Sequence, residues 1–191
     1  MEIFFGTNNP NKLKEIREML GDRFSVKSFK DLDAPFDVEE TEDSLEGNAA
    51  LKARAFHKHT GMPCFSDDSG LEVDALNGAP GVYSARYSGP NATAADNNKK
   101  LLQELDGVVE RSARFRAVIA YYDGNDIQLF EGKVEGNIQE SASGKDGFGY
   151  DPLFQPVGYD TTFAEMGAKA KHAISHRGHA VAAFTKWLKS Q

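Results

Sequence analysis

Apolar and polar positions fall in blocks along this chain, and the period changes from block to block. Glu2 to Thr7 gathers Ile3, Phe4 and Phe5 and reads as a short buried strand. Asn9-Pro10 then reads as an N-cap followed by proline at the first helical position, with Leu13, Ile16, Met19 and Leu20 recurring on one helix face. Ser25 to Phe29 predicts a second strand. A second helix begins near Thr41 or Asp43 and ends before Gly61, turning Leu45, Ala49, Ala53 and Phe56 inward. Cys64 to Asp67 reads as a short strand running into a turn, Asp68-Ser69-Gly70. A helix from about Thr93 to Leu105 stops at Asp106-Gly107. Arg114 to Tyr122 and Ile127 to Val134 flank Asp123-Gly124-Asn125-Asp126 as a hairpin. The last helix is capped by Ser175 and carries a stripe of Ala180, Ala183, Phe184, Trp187 and Leu188.

Helices interleaved with strands, plus one long hairpin, predict an α/β protein with a mixed, twisted central sheet flanked by helices. With 191 residues and no repeat or linker-like tract, residues 1–191 are expected to form one domain. No apolar run approaches a membrane-spanning length. The N-terminus has an acid where a signal peptide would be basic, so the expected location is cytoplasmic. Cys64 is the single cysteine, which excludes an internal disulfide framework and a multi-cysteine zinc site. Lys and Arg number 22 against 29 Asp and Glu, a formal charge of −7. That balance speaks against binding to a nucleic acid polymer, yet a few local cations with a divalent metal can still accommodate a small anion.

Four places carry candidate chemistry. Thr7-Asn8-Asn9-Pro10-Asn11-Lys12 joins a strand end to a helix start, where N–H groups and Lys12 suit phosphate oxygens; the ordinary reading is a capped helix. Glu39-Glu40 with Asp67-Asp68 offers the hard oxygen ligands that Mg²⁺ takes, and a carboxylate beside such a metal can deprotonate water; the ordinary reading is an acidic run and an acidic turn. Lys52, four residues after Asn48 and seven after Leu45, shares the inward face of its helix, whereas Arg54 reads as a surface residue. Lys169, Lys171 and Arg177 complete the basic set. Gly147-Phe148-Gly149-Tyr150-Asp151-Pro152 lets an aromatic ring lie flat on a planar ligand while Asp151 meets a purine edge. Ser175-His176-Arg177 opens the last helix with donors suited to a 6-keto oxygen.

At these residues the sequence resembles the inosine triphosphate pyrophosphatase family. The matching motifs run in order over nearly the whole chain: Thr7 to Lys12, Glu39-Glu40-Thr41, Asn48 to Ala53, Asp67 to Leu76, Gly78 to Arg86, Gly147 to Phe154 and Ser175 to Gly178. The resemblance implies an elongated α/β subunit of two lobes with a cleft, usually a homodimer, that cleaves aberrant purine nucleoside triphosphates (ITP, dITP, XTP) to monophosphate and pyrophosphate. It assigns Thr7, Asn8, Asn9, Pro10, Asn11 and Lys12 to the triphosphate, Asp68 to general base and metal, and Glu40 to the same Mg²⁺. Lys52 joins Asp68 in catalysis. Ser69 and Lys171 contact substrate, Phe148, Gly149, Tyr150 and Asp151 hold the base, and His176 with Arg177 reads its keto edge. Ala168-Lys169-Ala170-Lys171 departs from the family pattern and leaves the phosphate contact open between the two lysines.

Two other readings stand beside this one. A related pyrophosphatase family, named for septum inhibition, acts on modified pyrimidine nucleotides, but its serine-proline-arginine opening is absent here. A non-catalytic nucleotide sensor would gain little from gathered carboxylates around an anion.

Overall fold

The computed structural model describes residues 2–28, 31 and 37–190. Its strands are β1 (Glu2–Phe5), β2 (Ser25–Lys27), β3 (Cys64–Val73), β4 (Ser112–Tyr122), β5 (Ile127–Ile138) and β6 (Phe154–Pro156). Its α-helices are α1 (Pro10–Leu20), α2 (Leu45–Thr60), α3 (Ala94–Glu104), α4 (Ala168–Ile174) and α5 (His176–Leu188). The six strands form one sheet in the order β2-β1-β3-β4-β5-β6. β1 pairs in parallel with β2 and with β3, where Phe4 meets Cys64 and Phe5 meets Phe65, while β5 and β6 are antiparallel. The sheet is therefore mixed, as the alternation of strand and helix patterns predicts.

The chain divides into two compact units. The first holds Met1–Asp68, Ala117–Gly132 and Arg177–Gln191; the second holds Ser69–Arg116 and Lys133–His176. The first has its own core, in which Ile3, Phe5, Leu13, Ile16, Phe65, Ile119 and Phe184 bury together. Phe5 stacks on Phe65 at 4.6 Å between ring centres, and Phe65 meets Phe184 at 4.9 Å. The second unit buries Leu71, Leu101, Phe115, Phe154 and Phe163, with Phe115 and Phe154 4.6 Å apart.

Local capping explains the helix boundaries. Asn9 caps α1 by accepting from the Asn11 and Lys12 amides, and Gly21 ends it at φ 60°. Ser44 caps α2, so that helix starts slightly later than Thr41 or Asp43. Its far end closes on Gly61 in the left-handed region. Thr93 and Asp96 make a reciprocal capping box on α3.

Four expectations change. Asp68-Ser69-Gly70 is not a turn but the middle of β3, whose residues are almost continuously buried. Gly70 does not break that strand; it admits a close neighbour, since a Cβ there would lie 2.3 Å from the Gly81 carbonyl oxygen. Ala183 is exposed, and α5 buries Ala180, Val181, Phe184 and Leu188, with Trp187 packed on their edge. The hairpin strands are longer than expected, reaching Ser112 and Ile138, and β6 and α4 were not foreseen. Phe29, placed at the end of the second strand, lies outside the described residues. Among the described residues no helix is long and apolar enough to cross a membrane.

Candidate active site

The candidate residues collect into two groups, one in each unit. The first group grows from α1, α2 and the leading half of β3. Successive strand residues point to opposite faces, and the pair Asp67-Asp68 is split accordingly.

Asp68 faces α2. Its Oδ1 lies 3.2 Å from the Lys52 ammonium, which also donates to Glu40 Oε1 at 2.6 Å. Lys52 is buried, as its helical spacing predicts, and Glu40 is half-buried, whereas Glu39 is exposed. Burial pushes the Asp68 carboxyl above the ordinary carboxylate range, with Lys52 and Lys12 opposing and Glu40 and Asp67 reinforcing. Burial alone would lower Lys52, but Asp68 and Glu40 outweigh it and hold the ammonium charged.

Asp67 belongs to a different network. Its Oδ1 is 3.2 Å from the Lys12 ammonium, an ion pair without hydrogen-bond alignment, and its Oδ2 accepts from Arg177 Nε at 3.2 Å. Arg177 is almost fully buried and also donates from Nη1 to Glu15 on α1. Burial alone would raise Asp67, yet Lys12, Arg177 and Lys52 hold its carboxyl down at about 2. Burial lowers Lys12, helped by Lys52 and Arg177 and opposed by Asp67.

The start of α1 is a satisfied cap. Thr7 Oγ1 accepts from the Asn9 amide, and Asn9 Oδ1 accepts from Asn11 and Lys12. The exposed Asn8 donates to Asp37. Helix-end donors expected for phosphate are thus engaged by Asn9, which leaves the Lys12 charge as the plainest anion contact of this segment.

The second group is built on the glycine loop and α4. Lys171 and Asp151 are both buried and form an ion pair of 2.7 Å, with the ammonium 5.0 Å from the Phe148 ring centre and 5.8 Å from Phe163. Lys169 is exposed. Asp151 Oδ2 also accepts from the Phe148 amide at 2.9 Å. Gly147 sits at φ +76°, and a Cβ on it would come within 2.1 Å of that carboxylate, so only glycine lets the loop close here. Tyr150 is buried and its hydroxyl donates to the Ser84 carbonyl at 2.7 Å. His176 is buried and stacks on Phe115, 4.8 Å between centres and 14° between planes. Ser69 is half-buried on β3.

Asp68 Oδ2 is buried and has no hydrogen-bond partner among the described residues. An orphaned carboxylate oxygen is costly unless something else occupies it. With Glu40 on the same ammonium, the donor set is two carboxylates from separate segments, which fits Mg²⁺ completing its shell with water and phosphate. Among the described residues no group of three or more His, Cys, Asp or Glu gathers for a metal, so the protein by itself supplies only part of such a shell.

Two participants escaped the sequence reading. Glu15 follows Lys12 by three residues, so the helical spacing could have placed it on the same face. Phe115 carried no signal, because nothing local distinguishes it from an ordinary core residue.

The family model described as the Ham1 family matches residues 3–187. A dITP/XTP pyrophosphatase of Porphyromonas gingivalis is 48% identical over 188 residues, covering 98% of this chain and 97% of its own. One from Flavobacterium psychrophilum is 45% identical with full coverage of both chains. Among solved structures, a HAM1 protein from Coxiella burnetii superposes with a TM-score of 0.91 at 40% identity, covering all of both chains. The Staphylococcus aureus Ham1 protein gives 0.90 at 39%, covering 100% of this chain and 99% of its own.

Proposed function

The chain belongs to the Ham1 family, and on that premise we propose that it hydrolyses nonstandard purine nucleoside triphosphates, ITP, dITP and XTP, to the monophosphate and pyrophosphate. The observation that carries the reading is the Asp68 carboxylate, buried with one oxygen on Lys52 and the other without a hydrogen-bond partner among the described residues. Paired acids and lysines of this kind suit turnover of an anhydride better than storage of an anion, which disfavours a sensor.

Asp68 is the general base. Its raised affinity for protons matches the task of taking one from the attacking water. Lys52 holds that carboxylate and Glu40 in place and adds positive charge close to the reacting phosphate. Lys12 neutralises departing pyrophosphate, aimed by Asp67, which Arg177 and Glu15 brace in turn. Glu40 and Asp68 would hold Mg²⁺, which would further neutralise phosphate charge. Thr7, Asn8, Asn9, Pro10, Asn11 and Ser69 line the phosphate end. Phe148, Gly149, Tyr150, Asp151 and Lys171 hold the base, and His176 reads its 6-keto oxygen. Arg177 acts through its carboxylate partners. A 6-amino group facing a buried donor would leave that donor unsatisfied, a penalty of about 1–3 kcal/mol per group. The protein acts as a homodimer in the cytoplasm on a free nucleotide, not on a nucleic acid polymer.

The test is to mix the protein with ITP, dITP, XTP or ATP, with and without Mg²⁺, and separate the products by ion exchange. The keto substrates should yield monophosphate and pyrophosphate in equal amounts, only with the metal. Release of diphosphate and orthophosphate, or equal kcat/KM for ATP and ITP, would overturn the reading.

A further inference from the structure

Two asparagines stand side by side on α3. Successive helix positions diverge by about 100°, and the two side chains serve different segments. Asn97 is buried and satisfied: its Nδ2 donates to the Ser84 and Ala85 carbonyls, and its Oδ1 accepts from the Ser88 amide at 2.8 Å. Asn98 reaches further, donating from Nδ2 to the Gly149 carbonyl at 3.1 Å across 51 positions of sequence. Its Oδ1 is buried with no hydrogen-bond partner among the described residues.

An unsatisfied buried acceptor costs about as much as one amide–carbonyl bond returns. Asn98 therefore gives the fold little net stability, and what its bond does is local. Gly149 sits at φ +62° with open space where a side chain would be. Such a glycine has wide conformational freedom and no packing of its own to restrain it. The rest of the loop is anchored otherwise: the Phe148 amide on Asp151, the Tyr150 hydroxyl on Ser84. Asn98 holds the Gly149 carbonyl, and the planarity of the peptide carries that restraint to the Tyr150 amide.

We infer that Asn98 is a positioning residue for base recognition, pinning the Gly149–Tyr150 peptide so that Phe148 and Asp151 meet the purine in one prepared geometry. The inference rests on the function proposed above. A loop ordered in advance spares the ligand the entropy of ordering it, so losing the pin weakens base binding and leaves chemistry at the phosphates untouched.

The experiment compares wild type, Asn98→Ala and Asn98→Asp, with Gln103→Ala, an exposed position of the same helix, as control. Four quantities are measured: KM and kcat for ITP, the inhibition constant of inorganic triphosphate, and the thermal midpoint. Asn98→Ala should raise KM for ITP roughly three- to tenfold with kcat within about twofold. Inhibition by triphosphate, which has no base, should not change, and the thermal midpoint should hardly move. Asn98→Asp should be worse, because a carboxylate then faces the Gly149 carbonyl. Gln103→Ala should match wild type. An unchanged KM in Asn98→Ala overturns the inference and leaves the function standing. So does a rise in KM matched by weaker triphosphate inhibition or a lowered midpoint, since either means a general structural defect. Wild type inactive on ITP brings down both.

Discussion

Lys171 and Asp151 form a buried ion pair at 2.7 Å, twenty positions apart in sequence, with the Phe148 ring against the ammonium. Lys169, two residues earlier on the same short helix, is exposed. The pair resolves which of the two lysines is built into the second group. Lys171→Ala removes the cation that balances the buried Asp151 carboxylate, which keeps the Phe148 amide. Breaking such a pair typically costs about 3–5 kcal/mol of folding stability, and kcat/KM for ITP should fall well below that of Lys169→Ala. Lys169→Ala, a surface change, should stay within about 0.5 kcal/mol of wild type in urea unfolding. Similar kinetics for the two variants would mean that the pair has no part in substrate handling.

Asp68→Asn should fold normally and bind ITP while losing nearly all turnover. A general base commonly supplies about 10²–10⁴-fold in rate. Single-turnover kinetics with ITP and Mg²⁺ measure the step directly. Retention of more than about a tenth of the wild-type rate is incompatible with that role.

Asp67→Asn should damage stability as well as rate. The substitution removes the carboxylate that Lys12 and Arg177 share, while Arg177 keeps Glu15. A loss of about 3–5 kcal/mol in urea unfolding is expected for a broken buried charge network. The pH dependence has a definite sign. Asp67 is held down at about 2, so its contribution is complete above the unfolded-state value near 4 and fades as pH falls toward 2. The variant should lack that part of the acid limb.

Cys64 should be inert in the folded protein. It is fully buried, its Sγ donates to the Ala53 carbonyl, and burial pushes the thiol up to about 12. A disulfide reagent at pH 8 should label no thiol in the native protein and one per chain in denaturant. Because the folded thiol resists ionisation, its contribution to stability is intact below about pH 9 and declines as pH rises toward 12. Rapid labelling of the native protein would show that the small cluster of Phe4, Phe56 and Cys64 opens readily.

Much of the molecule is legible in local sequence because its causes are local. Asn9-Pro10 specifies the start of α1 through the donors of its own first turn, and Lys52 is placed inward by helical spacing from Leu45 and Asn48. The glycines around Phe148 announce a backbone that no other residue adopts easily, and the structure uses Gly147 at φ +76°. Mixed α/β architecture follows from the alternation of the two periods.

Tertiary structure decided what those pieces are joined to. Asp67 and Asp68 look alike in sequence, but they lie in the middle of a strand, so the pleat sends one to Lys12 and Arg177 and the other to Lys52 and Glu40. Reading Ser69-Gly70 as a turn hid that division, because nothing local reveals that the Gly81 carbonyl approaches closely enough to require a glycine inside a strand. Arg177 finds Asp67 110 positions away and Glu15 162 positions away. Residue spacing on one helix or strand determines which face a side chain takes. Which distant charge waits on that face depends on how the strands are ordered in the sheet, and burial then turns the meeting into a shifted carboxylate or a permanently held guanidinium.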